Sequence, residues 1–242
     1  MLKLFRKIRR QLLDGGQLRK YAIYAAGEIL LVVVGILLAL QVNNWNENKK
    51  QTRSEAVYLN RLSEDISDMM VFYQREKEIV ASINGAHQAL DYLESCGEKE
   101  GLETAFRQTL LTHQVLGNFL QNRSTYDEMV SSGAFARLKN TELKDVISKM
   151  FNWVEGGNLN VSYFREELGR ASAIINERVS FSYDPENKLI VDYQIPEICG
   201  DKQFRNALVE VIDSRQDVFF IFKNIHRSLQ QALALLEKEQ DG

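Results

Sequence analysis

Residues 20–43 read Lys-Tyr-Ala-Ile-Tyr-Ala-Ala-Gly-Glu-Ile-Leu-Leu-Val-Val-Val-Gly-Ile-Leu-Leu-Ala-Leu-Gln-Val-Asn, and this stretch sets the organisation of the chain. From Tyr21 to Val42 it would form roughly 33 Å of helix at about 1.5 Å per residue, which matches a hydrocarbon core of about 30 Å. We therefore predict one transmembrane helix over residues 21–42. Residues 1–20 would lie on one side of the bilayer and residues 43–242 on the other.

The distribution of charge predicts the orientation of this helix. The first twenty residues hold seven basic side chains and one acidic, a net charge of +6, whereas the whole chain carries −3. Cationic residues within about 15–20 positions of a span stay on the cytoplasmic side. We expect a single-pass protein with a cytoplasmic N-terminus and a long C-terminal domain outside, either in the periplasm of a Gram-negative cell or on the outer face of another bacterium. A cleaved signal peptide is the competing interpretation, but the basic region and the span are long and no small-x-small site follows Leu40.

The cytoplasmic segment, residues 1–20, has the pattern of an amphipathic helix. Leu2, Phe5, Ile8 and Leu12 recur at three- and four-residue spacing with basic residues between them. This pattern is typical of a helix that lies on an anionic membrane surface. A docking helix for a cytoplasmic partner is the alternative. The segment is too short to hold a catalytic or DNA-binding domain.

One carboxylate lies inside the predicted span. Glu28 is about seven residues in, where an ionised side chain is costly unless it is protonated, hydrated or paired. Four residues at i, i+4, i+7 and i+11 spacing form a small and polar stripe: Glu28, Val32, Gly35 and Ala39. Such stripes face another helix, either of a second copy or of a membrane partner. Glu28 would be a protonated acid hydrogen-bonding across that interface or, alternatively, a proton- or ion-handling group.

The region beyond the span is predicted to be all-α. Apolar positions keep heptad phase from Leu59 to Leu90 with a gap at Glu76, in a helix that we expect to continue from the span and to stop at Ser95-Cys96-Gly97. A further helix starts near Asn140 and runs past Gly156-Gly157, which should weaken or bend it. The last helix starts near Asp201 and keeps phase to Leu236 except at Arg215.

Three weaker segments lie between these helices. Residues 102–120 have an irregular helical pattern, and residues 124–133 read as a short helix with capping-box spacing and a closing glycine. Residues 181–183 and 189–193 are β-prone runs around Asp-Pro-Glu-Asn, which predicts a hairpin or an ordered loop. The simplest assembly is an antiparallel long-helix bundle of the four-helix type with this small insertion.

The topology places both cysteines of the chain at the membrane-distal tip. Cys96 ends the first extramembrane helix, and Cys199 precedes the last one. Both would lie in an oxidising compartment, so a Cys96–Cys199 disulfide is predicted, with two free surface thiols as the alternative.

Distances along the helices, measured from the same tip, predict one ion pair. Glu76 lies about 30 Å below Cys96 and Arg215 about 24 Å below Cys199 by helical rise. Because these two residues are the charges of the heptad seams, we expect a partly buried pair. The alternative is that each side chain extends out of its own seam to water.

No motif in the chain indicates catalysis. The three histidines lie far apart without metal-ligand spacing, and there is no nucleophile elbow or phosphate-cradling glycine loop. Beyond residue 20 no basic patch suggests nucleic acid. We therefore expect a protein that is not an enzyme and has no catalytic residues, no cofactor and no metal.

Two stretches carry a resemblance to a known family. They are Tyr-Ala-Ile-Tyr-Ala-Ala-Gly-Glu-Ile-Leu-Leu-Val-Val-Val-Gly-Ile-Leu-Leu-Ala-Leu-Gln-Val-Asn-Asn-Trp-Asn-Glu-Asn at residues 21–48 and Ser-Thr-Tyr-Asp-Glu-Met-Val-Ser-Ser-Gly at residues 124–133. The chain resembles a widespread family of uncharacterised Bacteroidota single-span membrane proteins, a domain of unknown function. The resemblance implies an inner-membrane protein with a periplasmic helical domain. It supplies no activity.

Two classes of function remain. The first is a scaffold or interaction subunit, oligomeric through the span or bound to a membrane partner. The alternative is a small ion- or proton-handling channel, or a periplasmic sensor subunit, that uses Glu28. The absence of a cytoplasmic domain in the sequence disfavours a self-contained receptor.

Overall fold

The computed structural model describes residues 18–240, and the predicted amphipathic helix from Leu2 to Leu12 lies outside the described residues. The chain divides into two compact units, Met1–Val57 and Tyr58–Gly242. Its elements in chain order are α1 (Leu18–Tyr73), α2 (Glu76–Glu94), α3 (Glu103–Leu111), α4 (Ser124–Ser131), α5 (Ala134–Arg137), α6 (Thr141–Arg178), β1 (Ser180–Tyr183), β2 (Leu189–Asp192), α7 (Ile195–Ile198) and α8 (Lys202–Gln240), with a 3₁₀ turn at Glu100–Leu102 before α3. The predicted all-α class is confirmed.

The first unit consists, in the described residues, of the N-terminal part of α1. Its large apolar side chains from Ile23 to Val42 are 45–75% exposed, and no described residue covers them. Within residues 18–240 this is the one helix long and apolar enough to cross a membrane, with a mean hydropathy of 2.5 over its most apolar window. The helix is compatible with the predicted membrane anchor.

In the second unit α6 and α8 pack against each other along their lengths. Arg178 Nε donates to Asp201 Oδ2 at one end (2.7 Å), and Asn140 donates to Glu239 at the other, so the two helices are antiparallel. Their heptad positions form the buried seam, as predicted. Asn140 also caps α6, because its side-chain oxygen accepts from the Leu143 backbone amide.

The helix predicted to run unbroken from the span to residue 94 is in fact two helices. A turn at Gln74–Arg75 separates α1 from α2, next to the gap in the heptad pattern at Glu76. The far end is as predicted, since the Gly97 amide donates to Tyr92 O and the Cys96 amide donates to Leu93 O, a Schellman closure.

Residues 112–123, which we call the crossing segment, form neither helix nor strand. The irregular helix predicted over residues 102–120 is therefore confined to α3, which ends at Leu111. The bundle has three long helical stretches in this unit, residues 58–94 with their one break, α6 and α8. The short helices and the crossing segment occupy the place of a fourth long helix.

The short helix α4 is held by side chains of α1. Asp65 accepts hydrogen bonds from the Thr125 backbone amide (3.1 Å) and from the Asn122 side chain (2.9 Å). Arg61 binds Glu128 at 2.7 Å. The predicted capping box does not form, because the Glu128 carboxylate is turned to α1 and Asp65 takes over the capping of the first turn.

The predicted insertion is a β-hairpin. β1 and β2 pair antiparallel with Phe181 opposite Val191, and Val191 is 1% exposed. Arg107 on α3 donates to Val191 O at 2.8 Å and lies over the Tyr193 ring. The hairpin is therefore attached to α3 through its second strand.

Gly157 sits where α6 approaches both α8 and the crossing segment most closely. A Cβ at this position would lie 2.8 Å from Ile221 Cγ2 and 2.9 Å from the Phe119 ring, whereas a Cβ at Gly156 would meet nothing within 4 Å. The helix remains continuous through both glycines. Gly157 is thus required by packing rather than by backbone conformation.

The neighbouring glycines give a matched pair of substitutions. Gly156→Ala should raise the free energy of unfolding by about 0.5–1 kcal/mol through helix propensity alone. Gly157→Ala has the same gain in helix propensity, but its new methyl group overpacks the contact. Its free energy of unfolding should therefore be about 1–3 kcal/mol lower than that of Gly156→Ala. Urea unfolding of the full-length protein in non-ionic detergent, followed by circular dichroism, measures both. Equal stability of the two variants would show that the close approach is absent.

Candidate functional site

A cavity of about 360 Å³ lies beside the break between α1 and α2. Both sides of the break contribute to it, together with the crossing segment and the middle of α8. Its lining residues are Phe72, Arg75, Glu78, Ile79, Ser82, Ile83, Val115, Leu116, Gly117, Asn118, Phe119, Arg215, Val218 and Phe222. All of them belong to the second unit.

Most of the cavity wall is apolar. Aliphatic side chains come from α2 and α8, and the rings of Phe119 and Phe222 are buried. The exposed charges Arg75 and Glu78 are hydrogen-bonded to each other at 2.9 Å. The remaining charged residue of the wall is Arg215.

Arg215 is a buried cation, with 7% of its surface exposed. Its Nη1 donates to Ser82 O (3.2 Å), and its Nη2 donates to Thr112 O (3.0 Å) and Thr112 Oγ1 (2.9 Å). Burial lowers the pKa of this guanidinium from its usual value. Among the described residues it forms no ion pair, so three neutral oxygens are its protein partners and two of its five N–H donors have none.

The predicted Glu76–Arg215 pair does not form. Glu76 Oε2 instead lies 3.7 Å from His226 Nδ1, eleven residues further along α8 and about 16 Å from Arg215 by helical rise. Nearer the tip Glu94 pairs with Arg205 at 2.7 Å, in the same register of α2 on α8. The cysteines at the tip are displaced from that register, so the heights measured from them were in error by about 10 Å, or roughly two helical turns.

His113 lies next to the Arg215 site and is 5% exposed. Its Nδ1 lies 2.5 Å from Leu110 O, which can only accept, so Nδ1 carries the proton and Nε2 accepts from Gln114 (3.2 Å). Burial lowers the pKa of His113, opposed by the Leu110 hydrogen bond and assisted by the positive charge of Arg215. Folding therefore favours the neutral form of the His113 imidazole.

This lowered pKa predicts a pH-dependent stability with a definite sign. The unfolded chain takes up a proton at His113 as the pH falls through about 6.5, while the folded chain resists it. The stability associated with His113 is present above pH 6.5 and is lost below it, by at most about 1.4 kcal/mol per pH unit. His113→Gln should flatten the fall in unfolding free energy between pH 7.5 and 5.5, measured by urea unfolding. The control is His87→Gln, an exposed histidine, and an equal flattening by both would contradict the assignment.

Tyr73 lies behind the aromatic wall of the cavity. Its ring packs on Phe222 at 5.0 Å and on Phe119 at 6.5 Å, and its hydroxyl is fully buried without a hydrogen-bond partner among the described residues. Burial raises the pKa of this hydroxyl. Sequence reasoning placed Tyr73 among the apolar seam positions and gave no sign of the orphaned oxygen.

The stripe of Glu28, Val32, Gly35 and Ala39 lies on α1, and all four residues are exposed. A Cβ at Gly35 would meet no atom within 4 Å. Within the described chain the stripe has no packing partner, so an interface there needs a second molecule. For metals, residues 18–240 contain no group of three His, Cys, Asp or Glu side chains close enough to share an ion.

The structure joins Cys96 and Cys199 in a disulfide, with the Cα atoms 5.1 Å apart. Cys96 adopts a left-handed φ of 48°, and Gly97 follows at 82°. A Cβ at Gly97 would lie 3.3 Å from both Ile195 and Tyr92. The tight turn after α2 therefore brings the Cys96 sulfur to the start of α8.

The disulfide closes a loop with a sequence separation of 103 residues. We expect both cysteines to resist alkylation without reductant, as read by intact mass spectrometry. Reduction should lower the unfolding free energy by about 2–5 kcal/mol, since the unfolded chain regains the freedom of a long loop. A Cys96→Ser, Cys199→Ser double variant should not respond to reductant. Alkylation of both thiols in the unreduced protein would refute the bridge.

Comparison with known proteins gives one match. The model of a family of unknown function (DUF6090) matches residues 28–212, more than half of the chain. The match starts at Glu28 within α1 and ends within α8, so it includes both cysteines. It also includes the part of the cavity wall that α1, α2 and the crossing segment form, whereas Arg215, Val218 and Phe222 lie beyond its end. No curated protein and no solved structure matches the chain.

Proposed function

We propose, for a chain that belongs to the DUF6090 family of unknown function, that it is a membrane-anchored scaffold or interaction subunit without catalytic activity. The single observation that carries the proposal is the apolar stretch of α1, whose large side chains no described residue buries. A helix of mean hydropathy 2.5 with none of its apolar window buried needs a non-aqueous environment. A lipid bilayer supplies it.

The proposed location is the inner membrane, with the N-terminus in the cytoplasm and the second unit in the periplasm. The net charge of +6 before the span supports this orientation. The Cys96–Cys199 disulfide supports it independently, because such bonds persist in oxidising compartments.

The proposed mode of action is association through the stripe. Small residues let two helix backbones approach closely, and a carboxylic acid at Glu28 then finds its hydrogen-bond partner across the interface. The partner is a second copy of the chain or another membrane protein. In either case the second unit is presented as a helical domain whose surface is available for binding.

Substitutions within the span test the proposed association. Light scattering of the detergent-solubilised full-length protein, corrected for bound detergent, should give a discrete oligomer. Glu28→Leu and Gly35→Leu should reduce it to the monomer, because the first removes the polar contact and the second blocks close approach.

Gly27→Leu is the matched control, since Gly27 lies off the stripe and also has open space around it. This variant should keep the oligomeric mass. If the wild type is a monomer, self-association through the stripe is refuted. The stripe would then bind another membrane protein, which crosslinking in cells should capture. Dissociation by all three variants would show that the stripe is not the interface.

A further inference from the structure

We propose that the cavity beside the break of α1 and α2 binds a fatty acid of medium chain length, with Arg215 holding its carboxylate. The site is independent of the proposed oligomer, because every lining residue belongs to the second unit. Three features of the cavity carry the inference: its charge, its free donors and its walls.

The charge of Arg215 is uncompensated in the described chain. A buried ion is costly unless an opposite charge accompanies it, and three neutral oxygens satisfy hydrogen bonds without cancelling the charge. The carboxylate that lines the same cavity, Glu78, is bound by Arg75. A ligand that brings one negative charge would complete the site.

The donors of Arg215 leave room for that ligand. The guanidinium carries five N–H groups and uses three of them on Ser82 and Thr112. Two remain, one on Nε and one on Nη1, on different sides of the planar guanidinium, so one of them can donate to an oxygen of a carboxylate. The hydrogen bonds to the backbone also fix the Arg215 side chain in place, which lowers the ordering cost of binding.

The apolar walls of the cavity favour an alkyl chain as the rest of the ligand. Predominantly apolar linings with a few placed polar groups are typical of small-molecule sites, and 360 Å³ lies near the small end of their range of about 300–1,000 Å³. Ile79, Ile83, Val218 and the two phenylalanines offer contacts to an alkyl chain. A polyphosphate would need more than one unpaired cation, so a monoanion with an apolar tail fits best.

A competing role for Arg215 is purely structural. It links Ser82 of α2 and Thr112 of the crossing segment to α8, and such a clamp would need no ligand. The two roles can be distinguished with small-molecule probes. If Arg215 is purely structural, the protein should have no binding site that requires both a carboxylate and an alkyl chain in the ligand.

Calorimetric titration of the full-length protein in non-ionic detergent provides the test, with octanoate, 1-octanol and acetate as probes. Octanoate should bind at a single saturable site. Acetate lacks the chain and octanol lacks the charge, so each should bind at least about tenfold more weakly. Arg215→Gln should weaken octanoate binding by roughly 10- to 100-fold, the loss expected for hydrogen bonds to a charged group.

Two further variants separate binding from folding. Val218→Trp fills the cavity while leaving the bonds of Arg215 intact, and it should abolish octanoate binding without loss of the thermal transition. Arg205→Gln removes an arginine of the same helix that pairs with Glu94 outside the cavity, and it should bind octanoate as the wild type does. Partition of a given probe into detergent is common to all variants and cancels when variants are compared. Different probes partition differently, so the affinities of octanoate, octanol and acetate are compared after titration of each probe into protein-free detergent gives its free concentration.

The proposal is overturned by any of three results. These are the absence of saturable octanoate binding, equal affinity for octanoate and octanol, and equal affinity for octanoate and acetate. A loss in Arg205→Gln as large as in Arg215→Gln would also refute it, since the effect would then follow net charge and not the site.

Discussion

The backbone of the crossing segment needs hydrogen-bond partners that neither a helix nor a sheet supplies, and the long helices provide them with side chains. Arg215 of α8 binds the carbonyl of Thr112, Arg165 of α6 binds that of Leu116, and Asn158 of α6 bonds to both the amide and the carbonyl of Phe119. A buried backbone group without such a partner would cost about as much as a lost hydrogen bond. The position of Arg215 inside the otherwise apolar seam of α8 follows from this requirement.

The crossing segment also explains the cavity and the glycine that faces it. An irregular segment cannot fill the space between helices as evenly as a fourth helix would, so a space remains where it passes the α1–α2 break. The Phe119 ring, which also lines this cavity, presses against α6, where a side chain at Gly157 would be crowded. Loose and tight packing therefore meet at the same ring.

Much of the fold was predictable because it is encoded locally. The seams of α6 and α8, the start of α6 near Asn140, the glycine stop after α2 and the hairpin each follow from neighbouring residues. The parts that sequence reasoning missed depend on distant residues. The register of α2 on α8, which separates Glu76 from Arg215, is set by contacts more than a hundred residues apart, and α4 takes its cap from Asp65 rather than from its own first turn. In the candidate site, Arg215 was recognisable as a charge in a seam, but its neutral partners were not.

The disulfide changes what a cut in the chain would do. The exposed turn of the hairpin, residues 184–188, lies inside the covalent ring that Cys96 and Cys199 close. A protease that cleaves this turn creates two new ends, yet the pieces stay joined through sulfur and through the packed helices α6 and α8. A nicked molecule would gain only the mass of one water and would keep its core and its anchor, and the two fragments would separate only after both reduction and unfolding.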